Sequence, residues 1–121
     1  MQHATQTYKN VARQTSNPRE LEATLLLQAA ARLQSVHDAW DSSKDLLTEA
    51  LLYNRKLWSV FLTEMFDGKN PMPKSVRQNV ANIGLFVMNH TVAVMSDPQP
   101  EKLDSLISIN REIAAGLLGR A

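Results

Sequence analysis

Cysteine is absent from this 121-residue chain, which excludes disulfides and thiolate metal ligands. Only four glycines are present, too few for the many turns of a β-sandwich or barrel. No glycine-rich phosphate loop occurs, and no serine sits in a strand-turn-helix elbow. Neither sign of charge is in excess: thirteen Lys and Arg stand against twelve Asp and Glu, for a net charge of +1. A nucleic-acid binder draws most of its affinity from a basic face that neutralises phosphates, so this balance lends RNA binding little support. No stretch is long and apolar enough to span a bilayer; the longest uncharged run, Gln78 to Ser96, carries three asparagines and a histidine. The opening residues MQHATQTYKN lack the apolar core of a secretory signal, so a cytoplasmic protein is expected.

What is present is helical. Ala, Leu, Gln, Glu and Arg, all good helix formers, are frequent, and 121 residues suit one domain with one core. Between Met1 and Ser16, Ala4, Tyr8, Val11, Ala12 and Thr15 recur at helical spacing, which predicts a short, weakly apolar N-terminal helix. Asn17-Pro18-Arg19-Glu20 is a helix start, with a capping Asn, a first-turn Pro and a capping-box Glu. The helix it opens should run to about Ala39 or Trp40, burying Leu21, Leu25, Leu26, Ala29, Leu33, Val36 and Trp40. A second should span about Ser43 to Phe66, burying Leu46, Leu47, Ala50, Leu51, Tyr53, Leu57, Trp58, Phe61 and Met65. That arc is wide enough to require more than one neighbour. After the Asp67-Gly68 to Pro73 turn, a helix over about Ser75 to Met95 carries no charge after Arg77. Val76, Val80, Ile83, Val87 and Val94 form one of its faces; Ala81, Leu85, Met88 and Val92 form another. Either it is central, or one face awaits a partner. A last helix over about Glu101 to Leu118 presents Leu103, Leu106, Ile107, Ile109, Ile113, Ala114 and Leu117, with Gly119 as its cap. The expected fold is all-α: one domain over residues 1–121, with four main helices in an antiparallel bundle plus the weaker N-terminal one.

Two asparagine-arginine pairs interrupt the apolar runs, Asn54-Arg55 and Asn110-Arg111. Each asparagine falls inside its helix's apolar arc, and each arginine at or beyond the edge. A buried amide without a partner costs about 1–3 kcal/mol, so the asparagines either bond another helix and fix alignment or face a groove that receives a peptide. Trp40, Tyr53, Trp58, Phe61, Phe66 and Phe86 are expected in the core, and one left exposed beside an apolar groove would instead mark a binding anchor. His3, His37 and His90 are too dispersed to suggest a metal. No cofactor and no enzymatic activity are expected.

The stretches TSNPRELEATLLLQAA (15–30), EALLYNRKLWSVF (49–61), RQNVANIGLFVMNHT (77–91) and LISINREIAAGLLG (106–119), in this order, resemble the FlaF family of flagellar biosynthesis regulators. The likeness includes both asparagine-arginine pairs. It implies a factor dedicated to flagellin, acting as export chaperone or positive regulator of its synthesis, and linked to the translational repressor FlbT. The partner implied is flagellin through its terminal helices, with FlbT or a flagellin transcript as alternatives. A homodimer burying the uncharged helix is a further option. The candidate partner-binding residues are Tyr53, Asn54, Arg55, Trp58, Phe61, Asn79, Leu85, Met88, Asn110 and Arg111.

Overall fold

A computed structural model of the chain describes residues 17–120. The N-terminal helix predicted over Met1 to Ser16 lies outside the described residues. Helix α1 spans Pro18–Asp38. It starts where the sequence places it: the Asn17 side-chain oxygen accepts from the amides of Arg19 (3.0 Å) and Glu20 (3.4 Å). These are two of the donors that a helix start leaves orphaned.

The next helix begins later than Ser43. The Ala39 carbonyl accepts from the amides of Ser42 and Ser43 and from the Ser43 hydroxyl, which closes a separate helical turn, Trp40–Ser43. A 3-10 turn, Lys44–Leu46, follows before α2 spans Leu47–Met65. The tighter turn carries Leu46 outward, half exposed, rather than into the core, and leaves Trp40 only partly buried. The other apolar residues expected of α2 are all buried. Beyond it the Asn70 amide donates to the Glu64 carbonyl (3.0 Å), and the Arg77 guanidinium reaches the carbonyls of Met65 and Asp67. These donors cap the end of α2, whose last carbonyls have no helical partner. Helix α3 spans Lys74–Ser96, and a 3-10 turn, Pro100–Leu103, replaces the α-helical start expected at Glu101. Helix α4 spans Asp104–Leu117. Gly119 ends it at φ +71°, and the Arg120 amide bonds the Ala115 carbonyl, a left-handed cap that favours glycine.

Successive helices are antiparallel. On α1 and α2, Glu22 meets Glu64 at one end and Arg32 covers the Tyr53 ring further along. Arg77 at the start of α3 reaches Met65, and Gly84 lies on Leu62 and Trp58. His37 near the end of α1 contacts Asp104 at the start of α4. Helix α4 packs mainly along α1, and α2 lies between α1 and α3. Trp58, Leu25, Leu26, Leu33, Leu51, Val87, Val94, Leu103 and Leu106 fill one continuous core. The fold is all-α, with no strand among the described residues. Helix α3 is not the central helix: of its apolar residues Val87, Val94 and Ala81 are buried, whereas Val76, Leu85, Phe86, Val92 and Met95 are exposed. No described helix is long and apolar enough to cross a membrane.

Candidate interaction surface

The two asparagines meet in the middle of the bundle. The Asn110 side-chain nitrogen donates to the Asn54 oxygen at 2.7 Å and approaches the Leu26 carbonyl at 3.4 Å. The Trp58 indole donates to the Asn110 oxygen at 2.9 Å. Asn54, Trp58 and Asn110 have no solvent exposure. The knot thus joins α1, α2 and α4 through one amide, and the Asn54 nitrogen is left without an acceptor. Placed inside the core, these three side chains and the buried Phe61 present no surface to a partner in this conformation. Both asparagines bond each other across the helices, and neither side chain faces a groove.

The remaining candidates separate. Tyr53 is buried against α1, with Arg32 over its ring at 4.0 Å and its hydroxyl 3.5 Å from Gln28. Arg55 is exposed on α2, while Arg111 on α4 donates to Gln34 of α1. Arg77 is turned onto the end of α2, in the opposite half of the bundle from Arg111. Arg55, Arg77 and Arg111 are therefore spread over three helices and do not gather into one basic stripe. A groove of about 310 Å³ between α1 and the start of α2, lined by Arg32, Val36, Leu46 and Glu49 among others, follows from the 3-10 turn that the sequence did not signal.

Asn79, Leu85 and Met88 lie on α3, which carries no charged side chain from Gln78 to Ser96. Asn79 and Leu85 are exposed and Met88 is partly buried. Leu85 is 52% exposed, Val92 56% and Phe86 45%. Phe86 lies parallel to the His90 ring, centroids 5.2 Å apart, and His90 in turn bonds the Lys102 carbonyl at 2.7 Å. The stack holds an exposed aromatic ring in a fixed place. Of the six aromatics expected in the core, only Phe66 and Phe86 are exposed; Trp40 is partly buried. Sequence reasoning missed Gly84 and Thr91, which form the inward side of α3. A Cβ on Gly84 would come within 2.6 Å of Leu62, so the glycine lets α3 lie close on α2. With that side sealed, the opposite side of α3 is turned to solvent.

Among the described residues no three potential metal ligands come together. Neither the curated proteins nor the solved structures yield a match to the chain. The family model described as "Flagellar protein FlaF" matches residues 4–117, nearly the whole length and every helix described above. The chain therefore belongs to the flagellar protein FlaF family.

Proposed function

We propose that this protein is a cytoplasmic, non-enzymatic binding protein that docks an amphipathic terminal helix of flagellin along the outward face of α3. In doing so it keeps flagellin soluble before export and supports its production. The observation that carries this reading is the solvent-facing side of α3, where Leu85, Phe86, Val92 and Met95 are exposed with no charged residue between Arg77 and Asp97. Contiguous apolar surface on a soluble domain marks an interaction site, and an elongated helical face suits another amphipathic helix. The knot of Asn54, Asn110 and Trp58 serves this function indirectly by aligning the helices that support α3.

Titration of labelled flagellin into the purified protein tests the proposal. Binding at micromolar concentration or tighter is expected. Leu85→Glu together with Val92→Glu should weaken it by at least about tenfold, or 1.4 kcal/mol. Absence of a complex at micromolar concentration defeats the proposal. The same titration with FlbT in place of flagellin separates the repressor-binding alternative.

A further inference from the structure

At the corner between α2 and α3 lies a cavity of about 180 Å³. Met65 and Phe66 line it from the end of α2, and Lys74, Arg77, Gln78 and Ala81 from the start of α3. Lys74 and Arg77 stand about one turn apart, so both cations reach the same cavity, and no acidic residue lines it. We propose that this cavity binds a carboxylate carried beside an apolar group on another polypeptide.

The charge of the two cations is not neutralised from within. Among the described residues neither takes part in an ion pair, and the first turn of α3 contains no acidic residue. Asp67, the nearest acidic residue in sequence, gives Arg77 only its carbonyl (3.3 Å) and turns its carboxylate to the Lys69 amide (3.0 Å). The Arg77 guanidinium is also held with one end spent and one edge free. Its Nη1 donates to the carbonyls of Met65 (3.4 Å) and Asp67, while its Nε is buried without an acceptor. A guanidinium grips a carboxylate through two parallel N–H groups. With Nη1 occupied, the edge formed by Nε and Nη2 is the one left for that grip. A buried donor without a partner is costly, so an acceptor supplied from outside relieves the free protein of that cost.

The rest of the cavity selects the kind of anion. Met65 and Ala81 are buried in its wall, and the Phe66 ring stands 70% exposed beside it. Apolar walls disfavour a bare, strongly hydrated ion such as phosphate and suit a carboxylate with an apolar neighbour. That carboxylate is either an acidic side chain or the C-terminus of a chain. The cavity precedes Leu85 on α3 and stands apart from the face proposed for flagellin, so neither reading requires the other.

Amide chemical shifts of the isotope-labelled full chain, followed as each probe is added to about 10 mM, read the site directly. The carboxylate probes are acetyl-Leu-Glu-Leu-amide and acetyl-Leu-Leu with its free C-terminus; the tighter of the two identifies the source. At least one should bind with a dissociation constant of about 1 mM, with shifts centred on residues 65–81. Acetyl-Leu-Gln-Leu-amide, which lacks the charge, should bind at least about tenfold more weakly, and inorganic phosphate more weakly than the better carboxylate probe. Lys74→Glu and Arg77→Gln should each weaken carboxylate binding by about tenfold. Arg77→Gln also removes a cap from α2, whereas Lys74 makes no side-chain bond among the described residues. Lys74→Glu should therefore melt with the parent and tests the charge without disturbing the fold. The Leu85→Glu, Val92→Glu variant should bind the carboxylate probes as the parent does. Absence of shifts at the cavity, a neutral probe that binds as tightly, phosphate bound more tightly than either carboxylate, or unchanged binding by Lys74→Glu overturns the proposal. Loss of probe binding in the Leu85→Glu, Val92→Glu variant overturns it too, by moving the probe to the outward face of α3. Flagellin binding without probe binding removes the cavity proposal alone; probe binding without flagellin binding removes the functional reading alone.

Discussion

At the scale of single residues, the Asn54–Asn110–Trp58 knot carries a large share of what makes the core specific. Asn110 both donates to Asn54 and accepts from Trp58, so its truncation deprives two buried groups at once. Asn110→Ala should lower the unfolding free energy in urea by about 2–4 kcal/mol, from unpaired polar groups plus the space vacated. Replacing both asparagines by leucine removes the two amides together, leaving only the Trp58 indole without its acceptor, and should cost less than the sum of the single changes. The unsatisfied Asn54 nitrogen already weighs against the native knot, which favours the leucine pair further. Strict additivity in that double-mutant cycle would show that the two amides do not act together. The sequence located both asparagines on apolar arcs. It did not show that they bond each other across 56 residues, because chain spacing carries no information on which helices become neighbours.

At the scale of elements, α3 owes its position to a close approach on α2. Gly84 lies with Trp58 and Leu62 where a Cβ would stand. Trp58 is fully buried and bonded, so it cannot move aside. Gly84→Val should therefore destabilise the fold by about 1–3 kcal/mol through overpacking. Gly116→Ala on α4, with nothing within 4 Å of the added carbon, should leave stability unchanged or raise it by up to about 1 kcal/mol. Thermal melts of the two variants provide the comparison, and equal melting temperatures would contradict this account of the α2–α3 contact. The helices themselves were legible from periodicity and caps, above all Asn17 and Gly119. Which face of α3 turns outward was not, because the sequence offers two apolar faces and only the close approach of Gly84 to α2 decides between them.

At the scale of the whole molecule, one carboxyl links global stability to pH. Glu22 is half-buried between α1 and α2. Desolvation, then the charge of Glu64 and a hydrogen bond with it, push its pKa up to about 7 against the opposing pull of Arg19. The folded state thus holds a proton that the unfolded chain, with its ordinary carboxyl near 4.5, releases. This stabilisation is complete below pH 4.5 and is lost as pH rises through about 7. After allowance for solvent screening of a half-exposed group, the loss amounts to about 1–2 kcal/mol. Urea unfolding of the parent should show that decline between pH 5 and 8, and Glu22→Gln should abolish it and be the more stable chain at pH 8. A parent profile flat over this range refutes the assignment. Asp38 acts in the opposite sense: hydrogen bonds from His37 and Gln34 lower its pKa, so its contribution disappears only in acid, as pH falls through the depressed value.

The sequence alone determined that the chain is helical, where α1 starts and α4 ends, and which residues are apolar enough to need covering. These follow from local preferences and from the 3.6-residue period, which act within a few turns of chain. Only the tertiary structure decided that Asn54 and Asn110 are spent on each other, that Leu46 and Phe86 face water, and that α3 is the outer helix. Those outcomes depend on which helix surfaces fit closely enough to exclude solvent, and that fit is made between residues far apart in the chain, Gly84 against Trp58 and Asn110 against Asn54.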